Sequence, residues 1–201
     1  MTTILMRDGL RQTVEAASGG KQTVVYTAKG QPSIMNIVEK FDMSAIDSSL
    51  SGTHPAFIVN GVEKASIMIG TYDGCVIDGE LVSQANVAPT GNLTIVTART
   101  AAKACGAGFH LITAQEWAAV QLKCDLNLQA NDAKYIEGNV YNGRSQGRNG
   151  TVTYGRRVDG VNPMLDPLPT AGNPATYTGS GGAEWRHNGR YNGISDLVGN
   201  L

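Results

Sequence analysis

Few residues in this chain have the type and spacing that catalysis or metal binding requires. The three cysteines are Cys75, Cys105 and Cys124, an odd number without a CxxC pair, so they indicate neither a set of disulfides nor a zinc site. The three histidines are far apart and form no HExxH pattern. We therefore expect no catalytic residues and no metal-binding cluster, and we expect the cysteines to be small buried side chains.

Tyrosines and arginines concentrate in a Gly-, Ser- and Asn-rich stretch that lacks helical or strand periodicity. Antibody loops have a similar composition, because rigid aromatic side chains contact a partner while small polar residues adapt to it. Arginines among tyrosines could also bind single-stranded nucleic acid, but the net charge of −1 favours a solvated loop, so no nucleic-acid partner is expected. We predict a loop surface that contacts a cell-surface receptor, a glycan or a protein, or a neighbouring subunit. The candidate binding residues are Tyr135, Tyr141, Arg144, Arg148, Tyr154, Arg156, Tyr177, Trp185 and Tyr191.

The same stretch contains side-chain oxygens of the kind that bind calcium. They belong to Asn139, Asn142, Asp159 and Asn162, whose spacing is not that of an EF-hand loop. Calcium therefore stays an open alternative, and no other cofactor is expected.

Composition indicates an ordinary folded chain that is made in a cytosol. Of its 201 residues, 41% are hydrophobic, which is enough for a packed core, and 16% are charged, below the roughly 25% of an average globular chain. Arg7 and Asp8 interrupt the N-terminus before an apolar signal segment could form, and no run of about 18 apolar residues is present. We expect no membrane insertion.

The elements that must position these residues begin with a short helix and a hairpin. Residues 7–17 place apolar side chains at helical spacing, and Asp8 is a suitable N-cap. Residues 23–27 and 33–41 are two apolar runs separated by turn residues, which predicts paired strands.

A polar, Ser-rich segment at 42–55 predicts a linker between two modules. Beyond it, the dipeptide Asn60-Gly61 lies between two apolar runs and predicts a hairpin, since both central residues of a type I′ turn need positive φ. We therefore expect a small β-rich module at 1–55 and a second module at 56–201.

Two helices are predicted in the second module. Thr97 is a candidate cap for the first, which carries a stripe of alanines. Thr113 and Glu116 have the spacing of a capping box at the start of the second, and Ile112 and Trp117 are placed to form a hydrophobic staple. Thr113, Glu116 and Trp117 are thus expected to be structural, with Trp117 buried.

Three segments, in this order, resemble the sulfatase-modifying-factor family, which includes the formylglycine-generating enzymes. IMIGTY (67–72) resembles its opening strand, GAGFHLITAQEWAAV (106–120) its "G.RLPTEAEWEYA" helix, and GISDLVGNL (193–201) its "G.YDMHGNVWEW" turn and strand. The phrase AEWRHNGRYNGISDLVGN (183–200) is most similar to phage and prophage tail proteins of this family, among them receptor-binding proteins diversified by retroelements. Residues 8–35 also resemble the front part of such phage proteins.

The resemblance implies an α+β fold with a C-type-lectin-like module, in which two helices pack on small twisted antiparallel sheets with long loops. It implies a virion protein made in the bacterial cytoplasm, a tail fibre or receptor-binding component that attaches to the host cell. Residues 1–55 would attach it to other virion proteins and form a homo-oligomer, a trimer. A capsid decoration or head-fibre protein is the alternative.

The resemblance also has two departures. The chain stops at Leu201, where relatives continue into the WEW strand, so the lectin-like module is expected to be incomplete, as a fragment or as a fold completed by another chain. The family's enzymes need a reactive cysteine pair beyond this point, and no cysteine follows Cys124. A formylglycine-generating oxidase is therefore the least favoured function, and the chain is expected not to be an enzyme.

Overall fold

The computed structural model describes residues 8–130, 135–166 and 173–200. Its first element is helix α1, Gly9–Ser18. Asp8 caps this helix by accepting a hydrogen bond from Arg11 N at 3.0 Å, and Gly19 ends it in the left-handed region at φ 64°. The predicted helix and its N-cap are confirmed.

The main sheet has three antiparallel strands, and the second of them in the chain lies in the middle. Strand β1 is Gln22–Tyr26, β2 is Pro32–Glu39 and β5 is Ser66–Gly70. The hairpin predicted for the first two is confirmed. The third strand follows the predicted linker, yet it pairs with β2 along its whole length.

One apolar core also spans the predicted module boundary. Phe41 and Phe57 contact edge to face at a centroid distance of 5.6 Å, and the same cluster includes Val120 and Ile194. The prediction of a separate module at 1–55 is therefore wrong for the described residues. The prediction took the polar segment 42–55 for a linker between modules. The segment instead connects two strands of the same sheet, β2 before it and β5 after it.

Two small hairpins follow the linker segment. Strands β3 (Ile58–Val59) and β4 (Val62–Glu63) are joined by the predicted turn, with φ 50° at Asn60 and 76° at Gly61. Strands β6 (Gly74–Ile77) and β7 (Glu80–Ser83) form a hairpin that we did not predict, although its Asp78-Gly79 turn is an equally good signal.

Helix α2, Ile95–Ala104, begins three residues earlier than predicted. Its N-cap is Thr94, whose hydroxyl accepts from the N–H of Thr97 at 3.1 Å, so Thr97 is a residue of the first turn and not the cap. The alanine stripe is buried at Ala101 and Ala102. The Sγ of Cys105 lies 3.1 Å from the carbonyl oxygen of Leu81 in β7.

Helix α3, Ala114–Ala130, starts with the predicted capping box. Thr113 N donates to Glu116 Oε2 at 2.7 Å, and Glu116 N donates to Thr113 Oγ1 at 3.2 Å. The staple is wrong, because Trp117 is 43% exposed and Ile112 is exposed as well. The buried face of the helix is formed by Ala119, Val120 and Cys124. The indole of Trp117 therefore lies at the edge of this face and is partly exposed.

The remainder, 135–166 and 173–200, has one 3₁₀ turn, Ala183–Trp185, and otherwise only isolated β-bridges among the described residues. The α+β class, with helices and small antiparallel sheets, is confirmed. No described helix is both long and apolar enough to cross a membrane.

Candidate functional site

Residues 152–158 form an extended segment at the centre of the irregular region. It pairs with residues 143–145 through Gly155 N, which donates to Gly143 O at 2.8 Å, and with residues 175–177 through Tyr177 N, which donates to Arg156 O at 2.8 Å. Successive side chains of an extended chain point to opposite faces. We call the exposed row the strip, and it consists of Val152, Tyr154, Arg156 and Val158.

The inward row fixes the strip to the body of the protein. Arg157 is buried, forms a two-bonded ion pair with Asp159 and donates from Nη1 to Asp166 at 2.6 Å. The hydrogen bonds from Arg157 lower the pKa of Asp159, so both groups stay charged at neutral pH. An arginine held by two carboxylates leaves little freedom for its neighbours in the chain.

Trp185 lies beneath the strip and is 0% exposed, so its prediction as a binding residue is wrong. Its Nε1 donates to Thr153 Oγ1 at 2.8 Å. A Cβ at Gly155 would lie 2.9 Å from the Trp185 ring, and one at Gly181 would overlap it. The two glycines thus make room for the indole, which is part of the scaffold.

Arg156 is the charged centre of the exposed surface. Its guanidinium lies 4.0 Å from the ring centroid of Tyr177 and also contacts Asn86 Oδ1. Beside this pair is a depression of about 360 Å³ that Val161 and Pro163 also line. The predicted residues Tyr154, Arg156 and Tyr177 are therefore brought together in one place.

Arg144 is opposite Tyr154 in a β-bridge, but its guanidinium turns inward. Its Nε donates to Pro163 O at 2.8 Å, and its Nη2 contacts Asp166 O. Arg144 therefore supports the strip from below. Tyr141, which precedes it, is exposed.

The other three predicted binding residues lie in two separate cation–π pairs, one of which includes Arg186, a residue that was not predicted. The guanidinium of Arg148 lies 5.1 Å from the ring of Tyr135, and Tyr191, which is 70% exposed, lies 5.9 Å from the guanidinium of buried Arg186. Within the described parts of the chain, no ring contact or hydrogen bond joins either pair to the strip.

Buried amides, which sequence reasoning did not single out as scaffold, hold the loops together. Asn200 Oδ1 accepts from Thr176 N at 2.7 Å and from Asn139 Nδ2 at 3.3 Å. Asn139 Oδ1 accepts from Gly143 N at 2.8 Å. These bonds take the place of regular secondary structure.

The calcium alternative gains no support from this arrangement. Asn139 Oδ1 is used by Gly143 N, Asp159 is paired with Arg157, and Asn162 Oδ1 accepts from Met164 N at 3.0 Å. Across the described ranges, no group of three or more His, Cys, Asp or Glu residues could hold a metal ion.

The sequence analysis missed two carboxyl groups whose pKa the fold raises, those of the partly buried Asp73 and the buried Asp196. Burial, with the nearby charge of Asp196, raises the pKa of Asp73 to about 7, although a hydrogen bond from Asn200 Nδ2 at 3.0 Å opposes this. Burial also raises the pKa of Asp196. Nothing in the sequence marks this pair, since the two residues are 123 positions apart (196 − 73).

The thiols are buried, as predicted. Cys75, Cys105 and Cys124 are all buried, and burial raises the pKa of Cys75 and of Cys105, which keeps these two thiols protonated.

Comparison with known proteins adds no relative to this description. No protein-family model matches the chain, and no curated protein matches it.

Proposed function

We propose that the protein is a non-enzymatic virion protein of a bacteriophage or prophage, a tail-fibre or receptor-binding component with a C-type-lectin-like fold. Its task would be attachment to the surface of the host cell. The support begins with the three family-like segments. Ile69 from the first, Val120 from the second and Ile194 from the third pack in one core, and Ser195 N donates to Thr71 O at 2.8 Å.

The observation that carries the proposal is the strip with its inward anchors. Tyr154 and Arg156 are exposed, whereas Arg157, the next residue in the chain, is buried and fixed by two carboxylates. Tyrosine and arginine are typical contact residues, because each buries a large area and also forms directional polar contacts. A surface that is already ordered loses less conformational entropy on binding.

The buried, protonated thiols also support a role without catalysis. A cysteine nucleophile needs an exposed setting that favours the thiolate, and Cys75 and Cys105 have the opposite one. The described surface instead offers aromatic and cationic contacts.

The proposal is tested by binding of the labelled 201-residue chain to cells of the bacterium that carries or is infected by the phage. We expect the wild-type protein to bind, and the double variant Tyr154→Ala, Arg156→Ala to bind at least about tenfold more weakly, as for the loss of contact residues. Arg99→Ala, which removes an exposed arginine from α2, is the control and should bind normally.

Labelling of virions with gold-tagged antibody completes the test. Gold at the tail tip supports the proposal, and gold over the head favours the capsid decoration alternative. If the wild type and the double variant bind cells equally well, the strip is not the surface that contacts the host cell.

A further inference from the structure

A second cleft, of about 400 Å³, lies away from the strip. Its walls come from β2, α3 and the segment after the 3₁₀ turn, and its polar lining includes Lys21, Glu39, Lys123, His187 and Arg190. None of the strip residues lines it.

His187 supplies a hydrogen-bond donor that faces this cleft. The residue is 9% exposed, and its Nδ1 accepts from the backbone N–H of Ile194 at 2.8 Å. A backbone N–H can only donate, so the ring proton of the neutral imidazole must be on Nε2. No hydrogen bond joins this Nε2–H to another of the described residues, and His187 is part of the lining of the cleft.

Two cationic side chains, Lys123 and Arg190, line the same cleft. Lys123 Nζ lies 4.7 Å from the centroid of the Phe41 ring, and neither Lys123 nor Arg190 forms an ion pair within the described ranges. Lys21 is paired with Glu39 at 3.2 Å, so these two charges largely cancel. Burial, and then the charge of Lys123, lower the pKa of His187 to about 4, which keeps its imidazole neutral at physiological pH.

The wall that carries the donor is ordered by asparagines. Asn188 Nδ2 donates to Asn192 Oδ1 at 3.0 Å, and Asn192 Nδ2 donates to Ser18 O at 3.1 Å. Asn36 Nδ2 donates to Asn192 O at 2.8 Å, which ties the loop to β2. The cleft is therefore formed before any ligand enters.

We propose that this cleft binds the oxyanion of a ligand, a carboxylate or a phosphate, with His187 Nε2–H donating to it and Lys123 and Arg190 supplying the positive charge. A neutral donor beside two cations without carboxylate partners fits an anion better than it fits a neutral sugar, because the charges would otherwise be uncompensated. The site is separate from the strip and does not depend on the proposed attachment function.

The experiment is an NMR titration of the 201-residue chain with sodium glucuronate, inorganic phosphate and glucose. We expect an anion to shift the His187 imidazole nitrogens and to raise the pKa of His187, since a nearby negative charge stabilises the imidazolium. Tighter binding of glucuronate would identify an acidic sugar as the source of the anion, and tighter binding of phosphate a phosphorylated ligand.

Two charge-removing variants test the assignment. Lys123→Met and Arg190→Gln should each weaken anion binding about fivefold, as expected for the loss of one partly exposed charge. Lys103→Met, which removes an exposed lysine from α2, is the matched control and should bind like the wild type, as should the double variant Tyr154→Ala, Arg156→Ala. The proposal fails if neither anion saturates the wild type, if glucose binds equally, or if both cleft variants bind like the wild type.

Discussion

The described residues before 125 and those after 134 are stabilised in different ways. In the first region, backbone ladders join β1, β2 and β5, and apolar side chains such as Phe41 and Phe57 pack between the sheet and α3. In the second, side chains replace the ladders, as when Asn200 and Asn139 bond to backbone groups across the loops. Irregular chain can thus be held by hydrogen bonds without ladders, but each of these bonds depends on one particular side chain.

The two tryptophans give the largest expected contrast between the regions. Trp185→Ala should destabilise the protein by about 3 to 5 kcal/mol, because the indole is fully buried. Trp117→Ala should cost less than about 1 kcal/mol, because its ring is at the margin of α3. The free energies of unfolding would be measured by chemical denaturation.

Trp185→Phe is the matched control, since it keeps an aromatic ring but removes the Nε1 donor to Thr153. We expect the free energy of unfolding of Trp185→Phe to lie between that of Trp185→Ala and that of the wild type. If Trp117→Ala costs as much as Trp185→Ala, the burial assigned to the two residues is wrong.

Asp73 gives a smaller, pH-dependent contrast, because it joins the end of the main sheet to Asn200 in the loop region. Its pKa of about 7 in the folded protein exceeds the ordinary 3.8, so the unfolded chain loses this proton first as the pH rises. The stability that this carboxyl group contributes is therefore fully present below about pH 4. It is lost as the pH rises through about 7, and the total loss is on the order of 4 kcal/mol.

Asp73→Asn removes this titration while keeping an oxygen that can accept from Asn200 Nδ2. The variant should match the wild type near pH 4 and be more stable near pH 8. The comparison is made between the two proteins at each pH, because His187, whose pKa is lowered to about 4, contributes in the opposite direction. A difference that does not change with pH would contradict the shifted pKa of Asp73.

Local sequence signals predicted the local features well. Asp8 as an N-cap, Asn60-Gly61 as a turn, and Thr113 with Glu116 as a capping box all act within a few residues. Such signals are readable because the groups that satisfy each other are close in the chain.

Features that depend on distant contacts were predicted wrongly or not at all. Trp117 fits a helical stripe, but the face that packs on the sheet is set by Ala119 and Val120. Trp185 lies among loop residues like a contact residue, yet Gly155 and Gly181 make a buried space for it. The module boundary predicted at residue 55 was wrong for the same reason. The pairing of β2 with β5 across it is a distant contact, and the polar composition of the segment between them does not reveal it.

The central claim is that the irregular region is an ordered platform, and hydrogen exchange of its backbone amides tests it most directly. Three amides with side-chain acceptors are diagnostic: Gly143 N bonds to Asn139 Oδ1, Thr176 N to Asn200 Oδ1, and Gly179 N to Asp196 Oδ2. We predict that all three exchange at least about a hundredfold more slowly than in an unstructured chain, as expected for amides released only by local unfolding. Exchange of these amides at the unstructured rate, with β2 still protected, would contradict the account.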